Sequence, residues 1–137
     1  MRALGIDLGG NWIGVAVSDN DGKVATPLQV LTRSKNTKED HEKISELVSE
    51  WEAECVVVGM PYSLNGDKGP AAKAVEEEVE ELASVISVPV DIHDERLTTV
   101  IAAQELSLQG LDNKRQREVI DQVAASVILQ SWLDKRT

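Results

Sequence analysis

Leu4-Gly5-Ile6-Asp7-Leu8-Gly9-Gly10 is a short apolar run that leads to one acid and then to glycines. Read with the two-residue period of a strand, Leu4, Ile6 and Leu8 face one way and Ala3, Gly5 and Asp7 the other. One face is bulky. The other carries only very small side chains around the acid, so a helix can approach it closely. A carboxylate on such a strand is costly to bury unless something pairs with it. The stretch by itself admits a metal ion, hydrogen bonds from glycine-rich backbone, or a buried partner.

Working outward, Ile13, Val15 and Val17 alternate with Gly14, Ala16 and Ser18 and predict a second strand. Asp19-Asn20-Asp21-Gly22 is a turn signal, so Asp19 and Asp21 read as turn residues. Lys23 to Leu31 returns as a third strand, broken near Pro27 where an edge or bulge belongs. Thr37-Lys38-Glu39-Asp40 resembles a capping box ahead of a helix over about 38–52, with Ile44, Leu47, Val48 and Trp51 on one face and His41 toward solvent. Glu54 to Gly59 reads as a fourth strand buried on both faces. After a loop punctuated by Gly66 and Gly69, Pro70 opens a second helix with the stripe Val75, Val79, Leu82 and Ile86, its glutamates covering the solvated side. Val88 to Ile92 is a fifth strand and runs into His93-Asp94-Glu95-Arg96-Leu97-Thr98-Thr99. A helix capped by Thr98 or Thr99 and ending at Gly110 follows, and then a last helix over about 114–134. The expected fold is α/β: a five-stranded mixed sheet, an antiparallel meander of three strands and then helical crossovers, with helices on both faces.

At 137 residues the chain reads as one domain, 1–137, with a core built without phenylalanine. The single cysteine, Cys55, sits in the apolar run Cys55-Val56-Val57-Val58 and reads as a core thiol. Cysteine usage and the lack of a targeting pattern point to the cytoplasm, and no apolar run approaches the roughly 20 residues that span a bilayer. With 14 basic and 24 acidic residues the formal net charge is −10, which argues against broad non-specific attraction to nucleic acid. It leaves room for a local basic patch or for acids neutralised by metal.

Open α/β sheets place their sites at the C-terminal ends of parallel strands. Asp7 lies toward the end of the first strand, and Asp94 and Glu95 lie just past the fifth. Asp121 stands beside the core stripe of the last helix, where Ala124 and Ala125 leave room to pack on the small face of the first strand. That arrangement can bring Asp7, Glu95 and Asp121 together. Clustered carboxylates stay ionised only with a cation, and Mg²⁺ or Mn²⁺ favours such oxygens. Bound there, the ion can activate a water and stabilise the leaving oxygen of a phosphodiester. The competing readings are a capped turn at Asp94, an ion pair between Glu95 and Arg96, and a surface Asp121.

Asp7-Leu8-Gly9 leading to Ile13-Gly14-Val15-Ala16-Val17-Ser18-Asp19, then Val57-Val58-Gly59-Met60-Pro61 with Gly66 and Gly69, resembles the YqgF (RuvX) family. So do Asp94-Glu95-Arg96-Leu97-Thr98-Thr99, the most specific string, and Asp121 running through Ala124-Ala125 to Ile128-Leu129-Gln130. The motifs come in the family's order and cover nearly the whole chain. The resemblance implies a ribonuclease H-like fold and a nuclease that matures the 5′ end of pre-16S ribosomal RNA, akin to Holliday-junction resolvases. It puts the acidic, metal-holding positions on Asp7, Glu95 and Asp121, with Asp94 as the adjacent candidate. Where the family usually carries Arg, this chain has Trp12, which can stack a base or pack as core. Arg96, the cluster Lys114-Arg115-Arg117 and, more weakly, Lys68 remain for phosphate contact, while His93 reads as structural.

The partner expected is nucleic acid, structured RNA such as pre-rRNA or branched DNA, with possible ribosome association; monomer and homodimer both stay open. One rival reading is an actin-like kinase, which needs a second lobe for which the chain has no room. Another is a non-catalytic RNA-binding module of the same fold.

Overall fold

The computed structural model describes residues 1–60, 69–94 and 113–136, and the side chains of these except 113–122. The elements are β1 (Ala3–Leu8), β2 (Trp12–Ser18), β3 (Ala25–Thr32), α1 (Thr37–Glu50), β4 (Cys55–Met60), α2 (Pro70–Val85), β5 (Val90–Asp94) and α3 (Asn113–Lys135). They form a five-stranded sheet in the order β3-β2-β1-β4-β5. β1 pairs antiparallel with β2 and parallel with β4, β2 pairs antiparallel with β3, and β4 runs parallel to β5. The opening strand is therefore central, as its apolar pattern requires. The helix expected to end at Gly110 lies outside the described residues.

Alternation along the strands separates two cores. Leu4, Ile6, Ile13, Val15, Val56 and Val58 bury one face under α1 and α2, with Ile44, Leu47, Val48, Val75, Val79 and Leu82. Ala3, Ala16, Cys55 and Val57 bury the opposite face under α3, through Ala125, Ile128, Leu129, Trp132 and Leu133. Cys55 is buried among these groups, and that burial pushes its thiol pKa up. The third strand carries its irregularity where Pro27 interrupts the pattern. Ala16 pairs with Pro27 and Val15 with Gln29, so Leu28 is the extra residue of a bulge. The turn after β2 closes on Gly22 at φ +69°, and the Asp19 carboxylate accepts hydrogen bonds from the backbone N–H groups of Lys23 (2.8 Å) and Val24 (3.1 Å). Those bonds hold its pKa below the ordinary aspartate value.

Four expectations need correction. The cap of α1 is Asn36, whose side chain accepts from the backbone of Lys38 (3.0 Å) and Glu39 (3.4 Å), one residue ahead of the predicted box. The fifth strand runs two residues later than read, ending at Asp94. His41 is not toward solvent: it is 1% exposed, three residues before Ile44 on the same helical stripe. Its Nε2 lies 2.9 Å from Glu78 Oε2. Glu78 in turn is no surface acid. It sits between Val75 and Leu82 on the buried side of α2, where a polar residue is tolerated because it has partners.

Candidate nuclease site

β1 carries Asp7 on the face that α3 covers, because Ala3 on the same side belongs to the α3 core and Leu4 and Ile6 belong to the other. The approach of α3 is as close as a backbone allows. A Cβ added at Gly5 would stand 2.7 Å from Leu129 Cβ and 2.8 Å from the Ala125 carbonyl oxygen. One added at Gly22 would stand 3.0 Å from the Met1 carbonyl oxygen and 3.8 Å from Leu133 Cδ2, so the C-terminal part of α3 lies at the start of β1. The helix thus runs back toward the strand's C-terminal end. Position 121 is one turn before Ala125, on the Asp7 side of Gly5.

Asp7 has a glycine beside it on each neighbouring strand. Gly14 is its direct partner on β2. On the other side, the parallel register that pairs Ile6 with Val58 puts Gly59 of β4 next to it. Gly59 pairs with His93 of β5. At this level of the sheet Asp7 therefore stands between two glycines. Trp12, two residues before Gly14 on the same face of β2, is half-buried. Among the described residues Trp12 joins neither apolar core.

β5 turns its residues alternately to the two faces of the sheet. His93 Nε2 lies 3.0 Å from Ser131 Oγ of α3, and Asp91 accepts a 2.7 Å hydrogen bond from Trp132 Nε1. Asp94 instead alternates with Val90 and Ile92 and pairs with Met60 of the α1/α2 core, on the side away from Asp7. His93 is buried and tied to Ser131, the structural role read for it; desolvation lowers its pKa, with Lys135 adding to the effect. Asp7 and Asp94 each take part in an interaction within the fold. Glu95, Arg96 and Lys68 lie outside the described residues. Lys114, Arg115, Arg117 and Asp121 are positions of α3 whose side chains lie outside them too.

One part of the site was not anticipated. The turn from β1 to β2 is held from below by Arg33, which follows β3. Its Nε donates to the Gly9 carbonyl at 2.7 Å, and its two terminal nitrogens donate to Glu78 at 2.9 and 2.8 Å. A groove lined by Leu8, Gly9, Gly10, Arg33, Ala71, Ala74, Val75 and Glu78 runs beside this turn. The helical phase of His41 and Glu78 puts both beside apolar stripes, but that phase does not by itself tell a buried polar residue from one at a stripe's edge.

The family model described as RuvX, Holliday junction resolvase, matches residues 1–135. A relative from Mycobacterium sp. (strain KMS), named as a candidate pre-16S rRNA nuclease, is 48% identical over 136 residues, 98% of this chain and 80% of its own length. A relative of the same name from Thermoanaerobacter pseudethanolicus is 42% identical over 138 residues, covering 99% of this chain and 98% of its own. Among solved structures, RuvC from Thermus thermophilus in complex with a Holliday junction substrate superposes with a TM-score of 0.60 at 22% identity, over 99% of this chain and 96% of that one. The fold is thus ribonuclease H-like, as the motifs implied. With the model matched from end to end and relatives approaching half identity, the chain belongs to the RuvX family of Holliday junction resolvase-like proteins.

Proposed function

We propose that the chain is a metal-dependent endonuclease that hydrolyses phosphodiester bonds in structured nucleic acid, with the 5′ end of pre-16S ribosomal RNA in the cytoplasm as its substrate. The observation that carries this reading is Asp7: a carboxylate at the C-terminal end of the central strand, flanked by Gly14 and Gly59, on the face that α3 approaches. Flanking glycines leave Asp7 without neighbouring side chains on the adjacent strands, as a carboxylate that receives a phosphodiester requires. The relatives' names and the family description point the same way.

The donor set fits Mg²⁺ or Mn²⁺, since carboxylate oxygens are the ligands these hard ions prefer. Asp7, Glu95 and Asp121 would hold the ion. Asp94 shares its face with Ile92, away from Asp7, which favours Glu95 over Asp94 as the ligand beside Asp7. When bound, the ion activates a water and neutralises charge on the leaving oxygen. The chain's own residues position the substrate. Arg96, Lys114, Arg115 and Arg117 contact backbone phosphates, Lys68 adds a weaker contact, and Trp12 offers an aromatic face to a splayed base.

The test is cleavage of pre-ribosomal RNA fragments and of four-way DNA junctions side by side, with and without Mn²⁺, by the wild type and by Asp7→Asn. Mn²⁺-dependent cleavage of the RNA, lost in a folded Asp7→Asn protein, is the expected result. Full activity of that variant would remove Asp7 from the site. Cleavage confined to junctions would replace RNA by branched DNA as the substrate.

A further inference from the structure

The Arg33–Glu78–His41 network spans three elements and ends on the turn that follows Asp7. We propose that Arg33 is a positioning residue, holding the Gly9 carbonyl and with it the strand end that carries Asp7. The catalytic consequence rests on the nuclease reading above; the mechanical one does not.

The geometry is that of a clamp. Gly9 is held at both of its polar groups: its N–H donates to the Trp12 carbonyl at 3.0 Å and its C=O accepts from Arg33 Nε at 2.7 Å. The backbone N–H of Arg33 also donates to the Asn11 carbonyl at 2.9 Å, so one residue grips the turn at two places. The guanidinium is fixed in turn by two near-parallel bonds to Glu78, a geometry that a lysine cannot reproduce. Glu78 is itself steadied by His41 at 2.9 Å, from inside α1. The segment after Arg33 is pinned as well: the N–H of Ser34 donates to Asp40 Oδ1 at 2.9 Å, and Asp40 is buried. The chain thus ties α1 and α2 to a turn that has two glycines and little stiffness of its own.

Such a clamp is costly to build for stability alone. A half-buried guanidinium and a carboxylate lose hydration, and similar apolar groups would bury as well. What the network adds is direction: it fixes the azimuth of Gly9 two residues after Asp7, and of Trp12 beyond it. A misplacement of about 1 Å at a reacting centre can cost about 100-fold in rate. A clamp is therefore worth its desolvation if Asp7 must hold one orientation.

Two measurements test this on the full chain, comparing the wild type with Arg33→Lys, which keeps the charge and loses the fork, and with Glu78→Gln. Amide hydrogen exchange reads the turn directly. In Arg33→Lys, exchange at Gly9 should quicken about tenfold or more while Val57, in the α3 core, stays unchanged. Steady-state cleavage reads the consequence: kcat should fall about tenfold or more with KM within about threefold. Glu78→Gln, which still offers one acceptor to Arg33, should lie between the two proteins in both readouts. Unchanged exchange at Gly9 in Arg33→Lys overturns the clamp. Faster exchange with kcat unaltered, in a wild type that does cleave, overturns the positioning role. Faster exchange in a protein whose wild type cleaves nothing leaves the clamp standing and sinks the nuclease reading instead.

Discussion

At Gly5 a single methyl group decides whether α3 can lie where it does. The atoms it would meet are the Leu129 Cβ and the Ala125 carbonyl oxygen, neither of them the far end of a flexible side chain. Gly5→Ala should therefore destabilise the protein by about 1–3 kcal/mol, near the top of that range, read as a shift in the urea midpoint with an unchanged slope. The alternation in the opening stretch made this face legible in advance: Ala3, Gly5 and Asp7 could only suit a close helix. His41 was illegible for the opposite reason. A polar residue on an apolar stripe is ordinarily at its edge, and only the unseen partner on α2, Glu78, makes burial affordable. Residues whose environment is set by their own strand could be read; residues whose environment is set by another element could not.

Of the two adjacent acids that the sequence left side by side, β5 carries Asp94. Asp94 shares its face with Ile92 and pairs with Met60, away from Asp7. Asp94→Asn should accordingly keep about the wild-type cleavage rate, while Glu95→Gln should lose it by about 100-fold or more, in the same assay and with unfolding midpoints as the folding control. Elements were otherwise legible where local chemistry marked their ends, as at Pro70, which opens α2, and less so at Asn36, where a neighbouring Thr offered a competing cap. A second expectation concerns the tie between α1 and α2. Burial alone pushes Glu78 up, but its hydrogen bonds from Arg33 and His41 outweigh this and hold its pKa below the ordinary value of 4.5. A depressed carboxylate pKa contributes stability that is present above the unfolded value and fades as pH falls through the folded one. The stability difference between the wild type and Glu78→Gln should thus be full near about pH 7 and shrink below about pH 4.5, measured by urea unfolding across that range.

For the whole molecule, the sheet order β3-β2-β1-β4-β5 makes the opening strand the innermost one and gives its end to the site. The meander and the crossovers were legible because strand periods, turns and caps are local. The meeting of Asp7 with acids more than eighty positions away, which the proposed site requires, is not local, and only the matching order of motifs made it a specific expectation. A net charge of −10 sets the binding problem at this scale. Affinity for a polyanion has to come from a small local set of cations, which makes the substrate's shape and exposed phosphates matter more than its bulk charge.

Cys55 lies at the start of β4 beneath the C-terminal half of α3, and it is the only sulfhydryl of the chain. Its burial gives the protein a built-in clock. A thiol reagent in excess can react only in those moments when the helix lifts from the sheet, so the labelling rate counts openings of the element that carries Asp121. Labelling of the folded protein should be slow. Gly5→Ala, which strains the same contact from the strand side, should speed it by about the factor that its loss of stability sets, near tenfold for each 1.4 kcal/mol if the opening is global. A rate that rises less than this would mean that Cys55 is exposed by an opening that leaves the contact of Gly5 with α3 in place.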